Sequence, residues 1–364
     1  MKLINRKTLE QNAALFLAAL LLLFLSGCGG GTPAERSAQA DAETAAQTDG
    51  DTDADTAALQ GGADSDTVEN DGVTIRVAAL KGPTAMGLVK LMSDAENDDG
   101  YEFTLAASPD EIAPRLIQGE FDVACVPANL AAVLYNRTQG EIVTLAVNTL
   151  GVLYIVEKGG AVQSIEDLRG MTIAASGKGS TPEYALRYLL SENGLDPDTD
   201  VFIDWKSEHS ECVTALATGA ATLALLPQPF VTVAENNVED LRVALDLTWE
   251  WNALNNGSTL ITGVAAARRD FVTEHPTAVA RFLADYAASV DWVNANASGA
   301  ATLIQAADIV PAPIAEKALP HCNIVCLTGD EMSAILPGYL SVLYDAAPDS
   351  VGGALPDADF YYHP

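Results

Sequence analysis

From residue 73 onward the chain alternates short apolar runs with amphipathic stretches. Residues 73–80 form an apolar, β-rich run, and residues 85–92 after Thr84 carry a helical pattern. Ser108-Pro109-Asp110-Glu111 is a helix start, with Ser as cap, Pro in the first position and Glu three residues on. Gly119 closes that helix, and residues 121–126 read as a buried strand. Ser164-Ile165-Glu166-Asp167 opens a second short helix closed by Gly170, with a strand at 171–175. Such alternation predicts an α/β fold whose sheets are mostly parallel and covered by helices on both faces.

The pattern also repeats. Lys81-Gly82-Pro83-Thr84 and Lys178-Gly179-Ser180-Thr181 each stand between an apolar strand and a helix. Downstream, Gly119 precedes a strand ending at Pro127, and Gly219 precedes one ending at Pro227. The repeat predicts two similar α/β lobes offset by about one hundred residues. Open α/β sheets bind ligands beyond the carboxyl ends of their strands. Two lobes facing one another would bring those ends to a single cleft.

Composition changes the picture at the N-terminus. Lys2, Arg6 and Lys7 precede an apolar run at 13–25, the shape of a secretory signal over residues 1–27. Leu25-Ser26-Gly27-Cys28 is similar to a bacterial lipobox, which implies cleavage before Cys28 and a lipid on its sulfur. Residues 28–72 hold eleven acids against Arg36 alone and are expected to form a disordered acidic tether. Of the total charge of −31, residues 73–364 keep −23. So acidic a surface repels phosphate backbones, so no nucleic-acid partner is expected. Cys125 and Cys212 fall in apolar or helical patterns and read as core thiols. Cys322 and Cys326 leave a local disulfide open, and with only His321 beside them no metal site is expected.

Taken in order, the lipobox, tether, strand-Gly-Pro-Thr-helix, Asp167-Leu168-Arg169-Gly170, the Gly-Ser-Thr turn and Leu226-Pro227-Gln228-Pro229 resemble a known family. They resemble the substrate-binding proteins of bacterial ABC importers, within the SsuA/TauA-like group that binds nitrate, sulfonates, taurine, riboflavin or thiamine-pyrimidine precursors. Arg269-Asp270-Phe271 and His275-Pro276 fit as well, so the likeness covers about residues 73–300. Gln228-Pro229 stands where many relatives carry Glu-Pro. The resemblance implies a two-lobed type II periplasmic-binding-protein fold with crossover strands near 148–157 and 245–262. Lobe 1 would span 73–152 and 262–364, and lobe 2 would span 153–261. It also implies a monomer that binds a small molecule without cofactor and docks on an ABC permease with a cytoplasmic ATPase. Anchoring through Cys28 would place it outside the cell membrane.

Among candidate contacts, Gly177-Lys178-Gly179-Ser180-Thr181 offers backbone N–H groups at a helix start, where negative charge is favoured. Either Ser180, with Glu183 three on, or Thr181 would be the cap. The turn is no P-loop, because Thr172 stands where a Gly is needed and Gly179 follows the Lys. Gly82, Pro83, Thr84 and Ala85 would face it from lobe 1. Lys81 and Lys178 suit an anion such as a sulfonate, whereas Trp249-Glu250-Trp251 suits a flat, amine-bearing heterocycle or merely packs a hinge. Asn129 and Gln228 are short polar groups at strand ends and are expected to donate to ligand; Asn148 is a weaker candidate. None of the four histidines pairs with a nucleophile motif, so no enzyme is expected. A ligand sensor working without transport is the reading from another class.

Overall fold

The computed structural model describes residues 72–97 and 100–364. The expected signal at 1–27, Cys28 and the expected tether up to residue 71 lie outside them. Eleven strands follow in chain order: β1 Ile75–Leu80, β2 Tyr101–Ala106, β3 Val123–Pro127, β4 Ile142–Leu150, β5 Leu153–Lys158, β6 Thr172–Ala175, β7 Phe202–Trp205, β8 Leu223–Pro227, β9 Leu241–Asp246, β10 Ile261–Arg268 and β11 Ile324–Thr328. They form two sheets, β11-β4-β10-β3-β1-β2 and β7-β6-β8-β5-β9.

The sheets share one plan. In each, three parallel strands (β2-β1-β3 and β7-β6-β8) are followed by an antiparallel strand that arrives from the other sheet. β10 enters beside β3 with Gly263 opposite Pro127, and β5 enters beside β8 with Leu153 opposite Pro227. The central strands β3 and β8 are buried at every position, as apolar runs covered on both faces should be. This is the two-lobed type II fold with two crossovers. One crossover is the short step from β4 to β5; the other runs from β9 through helix Leu247–Ala253 to β10. The two cross in contact, since Gly151 of the first leaves no space against Thr248 of the second.

Local signals account for most boundaries. Ser108 caps helix Pro109–Ile117 in a capping box with Glu111, and Ser164 does the same with Asp167. The single helix expected over 85–92 is instead two pieces, Pro83–Met86 and Val89–Asp94. The break falls at Gly87, whose Cα presses on Ile324, Tyr286 and Val290 so closely that a Cβ would lie 2.9 Å from the isoleucine. Cys322 and Cys326 are free thiols, and burial holds both well above the usual thiol pKa, at about 12. Among the described residues no helix is long and apolar enough to cross a membrane.

Candidate functional site: the interlobe cleft

Six strand-to-helix junctions, three from each sheet, meet at one cleft of about 400 Å³. From the first lobe come Gly82-Pro83 after β1, Ser108-Pro109 after β2 and Pro127 at the end of β3. From the second come Ser180-Thr181 after β6, Glu208-His209 after β7, and Gln228 and Phe230 after β8. First-turn amides have no acceptor within their own helix and carry its positive end. Leu80, Leu130, Val152, Leu153, Phe230 and Ile309 give the rest of the wall an apolar character. Thr262 also lines it, and its hydroxyl oxygen is buried without a hydrogen-bond partner among the described residues.

The turn at 177–181 is shaped by Gly177 and Gly179, both at positive φ (81° and 76°), where a side chain would be strained. Ser180 is the N-cap by backbone position, yet its hydroxyl donates back to the Gly177 carbonyl at 3.0 Å. Glu183 reaches past it and accepts from the Gly179 N–H at 2.6 Å, so Ser180 is the cap, as one of the two expectations had it, but no capping box forms. Lys81 pairs with Asp308 at 2.8 Å and Lys206 with Asp204 at 2.7 Å. Lys178 is exposed and makes no ion pair among the described residues. The cleft thus combines helix N-termini, one cation without an ion pair, two carboxylates (Asp110 and Glu208) and apolar side chains. Chemically, that suits an anionic head on an apolar body.

His209 opens helix His209–Thr218 at the cleft. As a whole residue it is only partly buried, but its ring packs 5.1 Å from the Phe230 ring and 2.5 Å from the Ser176 hydroxyl. Burial lowers its pKa from 6.5 to about 4, so the folded protein keeps the ring neutral where an unfolded chain would protonate it. The unfolded state therefore binds the extra proton between those two values, and acidification from 6.5 towards 4 removes stability. Allowing for partial exposure, the loss is about 1–3 kcal/mol. His209→Gln should flatten that part of the pH profile in urea unfolding; an unchanged slope would mean the ring is not buried in solution.

The other expected contacts divide. Gly82, Pro83, Thr84, Gly177, Lys178, Gly179, Ser180, Thr181 and Gln228 line the cleft. The Thr84 hydroxyl, however, donates to the Leu80 carbonyl at 2.9 Å, and the Gln228 side-chain carbonyl accepts from Thr232 at 2.9 Å. Ala85 lies fully buried beneath the wall. Asn129, also buried, does not line the cleft; its amide donates to the Gly179 carbonyl at 3.4 Å. Asn148 lies fully buried behind Thr149, which does face the cleft. Trp249 is 68% exposed and outside the cleft, while Trp251 is fully buried. Residues two apart on a helix point some 200° apart, so only one indole can face inward. His209, Ser176, Phe230 and Ser108 also line the cleft, and the sequence reading names none of them as a candidate contact. The hundred-residue offset that maps Gly119 to Gly219 also maps Pro109 to His209, and it was the available signal.

The family of ABC-transporter phosphonate periplasmic substrate-binding proteins matches residues 88–311. The chain belongs to that family. The matched span stops short of residues 312–364. Among solved structures, an ABC transporter protein from Parabacteroides distasonis is 23% identical at a TM-score of 0.67, covering 80% of this chain and 99% of its own. The periplasmic aliphatic sulphonate binding protein SsuA from Escherichia coli is 17% identical at 0.64, covering 80% and 92%. The alkanesulfonate-binding SsuA from Xanthomonas axonopodis pv. citri, solved with MOPS bound, is 15% identical at 0.60, covering 78% and 94%. No curated protein matches the chain in sequence. Membership makes this a substrate-binding protein of an ABC importer, of an extracytoplasmic family that works with a permease and an ATPase.

Proposed function

We propose that this protein captures a small organic, sulfonate-like anion between closing lobes and delivers it unchanged to its permease. The observation that carries the reading is the meeting of six strand-to-helix junctions, the Gly177–Thr181 turn among them, at a cleft with Lys178 on its rim and apolar side chains in its wall. We place lobe 1 at 73–152 and 262–364 and lobe 2 at 153–261. A ligand touching both lobes favours the closed state by its differential affinity. Gly82, Pro83, Thr84, Ser108, Gly177, Lys178, Ser180, Thr181, His209 and Gln228 are the residues we assign to its contacts. The protein acts as a monomer without catalysis. A lipid on Cys28 and the tether at 28–72 hold the capture domain near the permease at high effective concentration.

Thermal unfolding in the presence of a panel tests this: hexanesulfonate, taurine, benzenesulfonate, methylphosphonate, nitrate, a pyrimidine precursor and riboflavin. A ligand at a hundred times its Kd adds about 2.7 kcal/mol. At roughly 2–4 °C per kcal/mol, the midpoint should rise several degrees with the sulfonates. A rise with heterocycles alone would overturn the anionic reading, since Trp249 offers them no wall of this cleft.

A further inference from the structure

The ligand turn of the second lobe is gripped from the first lobe by the chain's C-terminal segment. Helix Gly329–Ala346 touches β4 and helix Ala128–Arg137 of the first lobe, and also helix Thr181–Glu192 of the second. From this helix a ring of hydrogen bonds runs out to the turn and back. The Tyr339 hydroxyl donates to Thr181 Oγ1 at 3.4 Å, and the Thr181 hydroxyl donates to Asn129 Oδ1 at 3.4 Å. The Asn129 amide then donates both its hydrogens, to the Gly179 carbonyl at 3.4 Å and the Ser350 carbonyl at 3.1 Å. The Ser350 hydroxyl closes the ring by donating to the Leu343 carbonyl at 3.1 Å, one turn beyond Tyr339.

Its four side chains are sequestered: Tyr339, Thr181 and Ser350 are 0% exposed and Asn129 is 1% exposed. Burial raises the Tyr339 pKa and keeps its phenol a donor. The amide of Asn129 is used in full, two hydrogens given and one oxygen receiving. A fully satisfied buried network of this kind rigidifies what it holds, although the single bonds here are long. What it holds is Gly179 to Thr181, a segment that lines the cleft, whereas Tyr339 and Ser350 do not.

We propose that Tyr339, Asn129 and Ser350 are positioning residues, so that ligand affinity depends on a C-terminal segment that never touches the ligand. The effect on affinity rests on the reading of the cleft given above; the grip on the turn does not. Tyr339→Phe deletes one hydroxyl and leaves the ring packed. In the full chain, amide hydrogen exchange over residues 177–184 should quicken roughly threefold to tenfold, the range expected of one net hydrogen bond. Exchange in β1 and β3 should stay unchanged, and the Kd for hexanesulfonate should weaken by a similar factor. Ser350→Ala, which reaches the turn only through Asn129, should act in the same direction. Exchange at 177–184 unchanged in both variants, or quickened equally throughout the molecule, would overturn the proposal. Should the wild type not bind hexanesulfonate, the sulfonate reading fails while the exchange result still decides the grip.

Discussion

Trp251→Ala is expected to lower stability by about 3–5 kcal/mol, the range for emptying a large aromatic site in a core. Trp251 is the largest fully buried side chain among the described residues. It sits on helix Leu247–Ala253 of the second crossover, which Asp246 caps by accepting from the Thr248 and Trp249 amides at 2.8 and 3.3 Å. The indole lies 4.8 Å from the Tyr188 ring and 5.7 Å from the Tyr339 ring, one in each lobe. Its N–H donates to the Ser258 hydroxyl at 3.0 Å. Truncation would open a void between two lobes, each held by its own sheet, so collapse around it is limited. At roughly 2–4 °C per kcal/mol the melting midpoint should fall by about 10 °C. Trp249→Ala, two residues away on the exposed face, should stay within about 0.5 kcal/mol of wild type. Equal losses for the two variants would mean that the crossover helix presents the wrong face.

This contrast marks where the sequence was legible. Strand-helix alternation and the Gly119/Gly219 and Pro127/Pro227 correspondences follow from chain chemistry alone. Buried parallel strands need apolar runs, and left-handed turns favour glycine; Gly119 and Gly219 both have positive φ. The lobes and the turn at 177–181 were therefore readable. Side-chain direction was not, because it depends on partners distant in the chain. Glu183 looked like half of a capping box, yet the Gly179 amide outcompetes Ser180 for it. Asn129 looked like a ligand donor at a strand end, yet the Ser350 carbonyl, 221 residues on, takes one of its hydrogens. His209 was hidden for the same reason. Its burial comes from Phe230 and Ser176, neither of which its local sequence announces.

Gly263→Val is expected to weaken ligand binding at least tenfold and to cost about 1–3 kcal/mol of stability by overpacking. Gly263 stands in β10 just after the second crossover, paired with Pro127 of β3 and Thr149 of β4. A Cβ there would lie 2.6 Å from Thr84 Cγ2, 2.6 Å from Asn148 Oδ1 and 3.3 Å from Thr149 Oγ1. Its φ is not in the left-handed region, so a β-branched residue meets no backbone strain; the obstacle is space alone. Neither neighbour can swing away, because Thr84 and Asn148 are both buried. Thr84 is tied to the Leu80 carbonyl, and the Asn148 carbonyl oxygen accepts from the Thr149 hydroxyl at 3.1 Å. Relief must come from moving the β1 junction, and with it Gly82 to Thr84, away from the second lobe. Gly160→Ala, with nothing within 4 Å of the new Cβ, is the matched control and should leave both quantities unchanged. Titration calorimetry with hexanesulfonate and urea unfolding separate the two effects. Lost stability with unaltered affinity would show that the first-lobe junction does not touch the ligand, and would shift the contacts to the turn at 177–181 and to His209.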